Sequence, residues 1–293
     1  MVEQHVGLLG ATSLIGECLL PLLTAENWQV NAFSRNVISD SNNHVVWKQL
    51  RNDLSSVRDE VTDNIPYWIS VMPIWCLPDY FDMLQAYGVR RIVVLSSTSR
   101  FTKDKSSDLR EQAIAHKLAF AENSVKEWGA KHDVDWIILR PTLIYGLGRD
   151  KNITEIARFI RRFKFFPLFG KANGLRQPVH CQEVAEVCVS ALKSAHLANR
   201  AYNIAGGETL SYRELVVRIF RTLALRPRFF SIPLFLFKLA VTGLRLLPRY
   251  RHWSFAMAER MNSDLIFDHA DAIRDLEYHP KKFELEAQDV SGD

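Results

Sequence analysis

Cysteine is scarce and scattered in this chain: Cys18, Cys76, Cys181 and Cys188 stand far apart, with no Cys-x-x-Cys pair. That spacing supplies neither a zinc site nor a disulfide framework, which predicts a reducing, cytoplasmic location. An excess of one charge is missing too. With 37 basic against 33 acidic residues, the net +4 spread over 293 residues is too mild to argue for nucleic acid as the main partner. No repeat or low-complexity tract is visible, and no apolar run is long and clean enough for a spanning helix. The strongest, Phe229 to Leu247, is interrupted by Pro233, Lys238 and Arg245. The start, Met1-Val2-Glu3-Gln4, leads into an apolar strand without a basic n-region, so secretion is not expected. What is present is 47% hydrophobic residues, enough to bury a substantial core in one large domain or a domain with a smaller lobe.

Strand-like apolar runs alternate with helical segments along the first half. Runs at Val6 to Leu9, Gln29 to Phe33, Val45 to Trp47, Tyr67 to Val71, Arg91 to Leu95 and Trp136 to Leu139 are separated by helices over 15–25, 77–87 and 111–131. Alternation of this kind predicts an α/β fold, a Rossmann-type doubly wound parallel sheet. After Pro141 the pattern loosens around Gly146, Gly148, Gly170, Gly174, Gly206 and Gly207. We therefore expect a core over 1–145, rejoined by 176–205, and a smaller substrate lobe from 146–175 and 206–293. A helix over 183–195, a strand over 201–204 and a helix capped by Thr209 or Ser211 complete the prediction.

The segment after the first strand carries the chemistry. Gly10, Ala11, Thr12, Ser13, Leu14, Ile15 and Gly16 form a small-residue turn that opens a helix. Glycine lets the backbone bend and approach a pyrophosphate, and the free amides of a helix N-terminus face the anion. Ser13 stands where a middle glycine is usual, so the motif is imperfect. The second strand ends in Ser34 and Arg35, about 20 residues later, where such folds read the adenosine ribose. A guanidinium there suits the extra phosphate of NADP, and NAD stays open as the alternative.

Several segments together resemble the extended and atypical short-chain dehydrogenase/reductase superfamily, in its NAD-dependent, nucleotide-sugar epimerase/dehydratase branch. They are Gly-Ala-Thr-Ser-Leu-Ile-Gly at 10–16, Val-Leu-Ser-Ser-Thr-Ser at 94–99, Leu-Arg-Pro-Thr-Leu-Ile-Tyr-Gly at 139–146, Gln-Pro-Val-His at 177–180 and Tyr-Asn-Ile-Ala-Gly-Gly-Glu-Thr-Leu at 202–210. The resemblance implies that Ser96 ends a strand beneath the nicotinamide and that Ser97, with Thr98 as neighbour, hydrogen-bonds the reacting substrate oxygen. It places Met72 and Pro73 beside the nicotinamide ribose, and Pro141 to Ile144 beside the carboxamide. It also assigns the phosphate end of a nucleotide-sugar to Arg176 and Gln177, with Arg161 or Arg162 second.

The family's Tyr-x-x-x-Lys pair is incomplete here. Lys117 is present, but Ala113 stands four residues earlier, and aligning Glu122 with the family's helix acid puts Ile114 and Leu118 at the two positions. A phenol is missing in either register. His116, His180 and Tyr145 are candidate proton carriers, since proton transfer needs only reach and a suitable pKa; proton exchange with water is a further option. The leading expectation is an NAD(P)-dependent oxidoreductase or epimerase acting on a nucleotide-sugar or related phosphorylated substrate. The alternative is a non-catalytic, cofactor-holding scaffold or accessory protein.

Other features have plainer readings. Arg158, Arg161, Arg162 and Lys164 alternate with Phe159, Phe163, Phe165 and Phe166, yet no nucleic-acid-binding module accompanies them. His180 has no metal partners at ligand spacing and reads as a loop-fixing residue, so no metal is expected. Residues 229–251, bordered by Arg226, Arg228, Arg245, Arg249 and Arg251, either line the lobe or rest peripherally on the inner face of a membrane. A homodimer is implied only by the resemblance.

Overall fold

The computed structural model describes residues 4–39, 44–50, 63–233 and 255–291. Its centre is a seven-stranded parallel sheet built from β1 (Gln4–Leu9), β2 (Trp28–Ser34), β3 (Val45–Gln49), β4 (Tyr67–Ser70), β5 (Arg91–Leu95), β6 (Asp135–Pro141) and β11 (Arg200–Ile204). The spatial order is β3-β2-β1-β4-β5-β6-β11. The chain starts in the middle, winds to one edge and returns to build the other, so the order reverses between β1 and β4. In such sheets a crevice opens at the carboxyl ends of the strands at that reversal. The expected Rossmann-type fold is borne out.

The apolar runs are continuous because both faces of the sheet are covered. Helices α1 (Leu14–Ala25) and α6 (Cys181–Lys193) cover one face, burying Leu19, Leu23, Val184 and Cys188 against Val6, Val30 and Ile69. On the other face lie a 3-10 turn (Ile74–Tyr80), α2 (Phe81–Ala86) and α4 (Leu109–His132). Leu77, Leu84, Leu118 and Val125 there meet Trp68, Ile92 and Ile138. The single helix expected over 77–87 is split, because Pro78 has no N–H with which to extend an α-helix begun at Ile74. Arg91 ties the sheet to α6: its Nη2 donates to the carbonyls of Ala191 and Ser194 at 2.8 and 2.7 Å. A cation thus occupies the negative end of that helix.

A third core forms the lobe. Helices α5 (Ile153–Phe163) and α7 (Tyr212–Thr222) bring Ile156, Ile160, Leu215 and Phe220 together with Phe166, Phe169 and Met261. Three two-stranded ribbons support it: β7 (Ile144–Tyr145) with β10 (Val179–His180), β8 (Phe166–Phe169) with β13 (Phe229–Ile232), and β9 (Leu175–Arg176) with β12 (Leu210–Ser211). Ser211 caps α7, accepting from Glu214 N at 3.1 Å. Next come α8 (Phe255–Asn262), α9 (Ala270–Leu276) and α10 (Ala287–Val290). Within 206–293, α9 packs Ala272 and Leu276 into the sheet core beside α6. Nearby, the Tyr278 hydroxyl donates to the Ala205 carbonyl at 3.0 Å and holds this return in place.

Candidate functional site

The glycine turn is shaped by close backbone contacts. Gly10 has φ +84°, and a Cβ there would lie 2.8 Å from the Met72 amide nitrogen. The turn is therefore pressed against the end of β4, which brings Met72 and Pro73 alongside it. A Cβ on Gly16 would fall 2.3 Å from the Gly10 carbonyl oxygen, so the start of α1 sits directly on the turn. Ser13 caps the helix by accepting from Gly16 N at 3.1 Å. Serine at the position of the missing middle glycine is thus an N-cap, a signal the dinucleotide motif alone would not supply. The first-turn amides of Leu14 and Ile15 have no acceptor within the helix and remain available to an anion. Thr12 is exposed at the same turn, while Ala11 and Ile15 are buried beneath it. These residues fit a pyrophosphate.

At the end of β2, Ser34 is buried and Arg35 exposed. The Ser34 hydroxyl accepts from Asn36 N at 3.1 Å, and the Arg35 carbonyl accepts from Gln49 Nε2 at 3.2 Å. The backbone is fixed, and the Arg35 side chain extends into solvent.

The ends of β5 and β6 are locked by a buried carboxylate. Glu122 on α4 is fully buried and accepts from the Ser96 hydroxyl at 2.6 Å. It also accepts from Arg140 Nε at 3.0 Å and Nη2 at 2.6 Å, and pairs with Arg100. Burial pushes the Glu122 carboxyl up, but the bonds from Arg140 and Ser96 and the charges of both arginines outweigh that and hold it below its usual value. Ser96 is therefore a strut. Thr98 is another: its amide and hydroxyl both donate to the Pro141 carbonyl at 3.1 Å. Ser97 is placed differently, because its oxygen accepts from Ser99 N at 3.1 Å. Its proton is left to donate elsewhere.

Ser97 opens on a cavity of about 370 Å³, whose lining also includes Thr98, Ile144, Arg176 and Gln177. Lys103, at the end of the short helix α3 (Ser99–Thr102), and Arg260, from α8, complete a basic side. Burial pushes the Arg176 guanidinium down to about 10. Its Nη1 donates to the carbonyls of Leu175 and Ser263, and its Nη2 bonds that of Arg260. Arg176 thus braces the lobe with most of its donors and offers the cavity charge more than a free fork. Gln177 accepts from Phe267 N at 2.8 Å. A cavity of similar volume, about 390 Å³, between α1, α6 and α9 is lined by Glu26, Glu186 and Asp275 and lies away from the carboxyl ends of the strands.

Several expected site residues are not brought to Ser97. Lys117 is exposed on the outer face of α4, whose helical period instead turns Ala115, Leu118, Ala121 and Glu122 inward. Glu122 lies on that inward face together with Leu118, and Ile114 is half-buried beside it. His116 is exposed too, 3.9 Å from Asp104. Tyr145 is buried against His180 and Phe283, and its hydroxyl donates to the Glu284 carbonyl at 3.0 Å. Burial first, then Glu183 and Asp289, push that phenol well above its usual value. His180 caps α6 and meets the buried Asp289 at 3.3 Å, the loop-fixing role expected of it. Arg161 bonds the Val290 carbonyl and does not line the cavity. Arg158, Arg162 and Lys164 are exposed, while the opposite face of α5 packs into the lobe. Of residues 229–251, only 229–233 are described, with Phe230 exposed; Arg245, Arg249 and Arg251 lie outside the described residues. Among the described residues, no cluster suited to a metal is present, and no helix is long and apolar enough to cross a membrane.

A doubly wound parallel sheet with a glycine turn and helix amides at its reversal defines a dinucleotide-binding fold. Residues 79–205 match the family model described as NAD dependent epimerase/dehydratase. That stretch makes the chain similar to the family. It is 25% identical over 300 residues to an uncharacterized protein, y4nG, of Sinorhizobium fredii (strain NBRC 101917 / NGR234), covering 93% of this chain and 74% of that one. A shorter match, 24% over 147 residues, is to the mitochondrial NADH dehydrogenase [ubiquinone] 1 alpha subcomplex subunit 9 of Arabidopsis thaliana, covering 50% of this chain and 34% of that protein. In structure it resembles UDP-N-acetylglucosamine 4-epimerase from Bacillus cereus, with TM-score 0.72, 12% identity, and 98% and 94% of the two chains covered. UDP-glucose 4-epimerase from Thermotoga maritima, solved with UDP-glucose, superposes with TM-score 0.72 at 13% identity over 98% and 97%. The enzyme of the same name from Thermus thermophilus, in complex with NAD, gives 0.69 at 14% over 98% and 97%.

Proposed function

We propose that this protein binds a nicotinamide dinucleotide across the crevice and transfers hydride reversibly to and from a nucleotide-sugar or related phosphorylated substrate held beside Ser97. The diphosphate rests on the turn at 10–16, where the Leu14 and Ile15 amides and the exposed Thr12 meet it. Arg35 takes the far end of the adenosine, which favours NADP and still admits NAD. When bound, the nicotinamide supplies the hydride acceptor and donor. Met72, Pro73, Pro141 and Ile144 border it, and Ser97 donates its free proton to the substrate oxygen. Lys103, Arg176 and Arg260 make one side of the cavity positive, which suits an anionic substrate.

The observation that carries this reading is the free Ser97 hydroxyl, opening on a basic cavity at the end of the strand next to β4. Solved structural neighbours that hold UDP-glucose or NAD support the choice of ligands. The test is oxidation or epimerisation of UDP-glucose and UDP-N-acetylglucosamine by wild-type protein and by Ser97→Ala. Turnover by the wild type that Ser97→Ala loses sustains the reading.

A second reading has its own support. The inward face of α4 carries the apolar Ile114 and Leu118 and neither a phenol nor an amine, and a mitochondrial NADH dehydrogenase [ubiquinone] subunit is among the relatives. A cofactor-holding scaffold would bind the dinucleotide and leave its redox state unchanged against every sugar tried. The exposed Phe163, Phe165 and Phe230, near Arg226 and Arg228, would then form an apolar, basic edge for a membrane surface. Failure to sediment with anionic vesicles removes that contact.

A further inference from the structure

The reaction proposed above needs a group to carry the substrate's hydroxyl proton, and the fold leaves few candidates. Tyr145 spends its hydroxyl on Glu284, His180 caps a helix, and His116 and Lys117 face solvent. The buried polar groups beside Ser97 are also committed, Glu122 to its arginines and Thr98 to Pro141. One ionisable side chain in the Ser97 cavity has no hydrogen-bonding or ion-pairing partner among the described residues: the amine of Lys103.

We propose that Lys103 is the catalytic proton acceptor and donor for the carbon that reacts beside Ser97, an amine doing the work of the missing phenol. This rests on the hydride-transfer reading above. Lys103 caps the C-terminus of α3, the four-residue helix that follows Ser97 and Thr98, so a single short segment sets both groups. The nearby carboxylates do not reach it. Glu111 pairs with Arg260 and accepts from the Ser106 hydroxyl, Glu122 pairs with Arg100 and Arg140, and Asp104 lies by His116. The charged groups that share its cavity are Arg260 from α8 and Arg176 from β9, both positive.

Burial and the Arg260 charge hold the Lys103 amine below its usual range. A desolvated lysine beside a second cation is a recognised way to make a neutral amine available near neutral pH. In the oxidative direction the substrate O–H bond breaks and its proton passes to the amine. The same carbon gives up its hydride to the oxidised nicotinamide, leaving a carbonyl, an ammonium and the reduced nicotinamide. In the return direction the carbonyl carbon regains hydride and the ammonium returns the proton to oxygen. Ser97 holds that oxygen throughout, and no external oxidant is consumed in a full cycle.

Two measurements test the assignment together. The first is competitive acetylation of the protein without added dinucleotide over a pH series, with Lys103 read by peptide mass spectrometry. Lys103 should titrate below the ordinary lysine range, and titration within that range overturns the proposal. The second is turnover of UDP-glucose by wild type, Lys103→Met and Lys103→Arg, with folding checked by thermal unfolding and NADPH affinity. Lys103→Met should lower kcat by about 100-fold or more at unchanged NADPH affinity, and Lys103→Arg should shift the pH profile to higher pH. A rise in KM with kcat and the pH profile intact makes Lys103 a charge contact only and overturns the proposal while the reading stands. Absence of wild-type turnover, with the dinucleotide bound, overturns the reading itself and removes the reaction Lys103 would serve.

Discussion

Arg140 meets Glu122 through two side-by-side hydrogen bonds, Nε to Oε1 at 3.0 Å and Nη2 to Oε2 at 2.6 Å, at the junction of β6 and α4. The same carboxylate holds Ser96, so one buried acid fixes the strand end that presents Ser97. The guanidinium of Arg140 also lies over the Phe101 ring, 5.2 Å from its centroid, which ties α3 to the same cluster. Removing the acid strands two partly buried cations. Glu122→Gln should cost about 3 kcal/mol or more in chemical denaturation.

The pH dependence of that loss has a definite sign. Glu122 is held below the ordinary value of 4.5 by its bonds and cations, against burial. A depressed carboxyl contributes stability that is complete above its unfolded value and is lost as pH falls through the folded one. The gap between wild type and Glu122→Gln should be widest near neutrality and close on acidification. A gap that grows in acid contradicts the network.

The C-terminal segment is latched by Asp289, which is buried, accepts from Leu147 N at 3.0 Å and Glu286 N at 2.9 Å, and meets His180. Burial pushes the His180 imidazole down, but the Asp289 bond and charge outweigh it and leave it raised above 6.5. A raised histidine stabilises fully below its unfolded value and loses that contribution as pH rises through the folded one. Asp289→Asn should therefore destabilise more at mildly acidic than at alkaline pH, as read by thermal unfolding at the two conditions.

Ser13→Ala removes the acceptor for Gly16 N and should cost about 1 kcal/mol, the usual loss for an N-cap. Gly10→Ala meets the Met72 amide at a positive φ and should weaken dinucleotide binding more than Ser13→Ala does. Fluorescence titration with NADPH orders the two variants.

The sheet is legible because parallel strands buried on both faces are apolar throughout, and each run from Val6 to Leu139 falls on a strand, the fourth overrunning β4 by Val71. The helix expected over 77–87 is divided at Pro78, which periodicity alone does not register. Ser13 breaks the glycine motif in sequence and shows itself as a cap only in the fold, and Ser97 is legible only through the family's motif. Lys103 is not legible in the sequence because it lies in an unpatterned turn; its setting comes from α8, far along the chain, which brings Arg260 to the same cavity. The fate of Lys117 could be read only from which face of α4 is buried, and Glu122 was the one sequence clue to that register.

Arg35→Asp carries the cofactor preference. The exposed guanidinium at the end of β2 should favour NADPH over NADH, and the substitution should reverse or abolish that preference. An unchanged ratio of affinities removes Arg35 from the site.

Every role proposed for this chain depends on the turn at 10–16 holding a dinucleotide. Direct titration of the wild-type protein with NADPH and NADH, followed by nicotinamide fluorescence, is the measurement closest to it. Saturable binding below millimolar concentration, weakened by Gly10→Ala, is the expected result, and saturation by neither dinucleotide in a folded protein contradicts it.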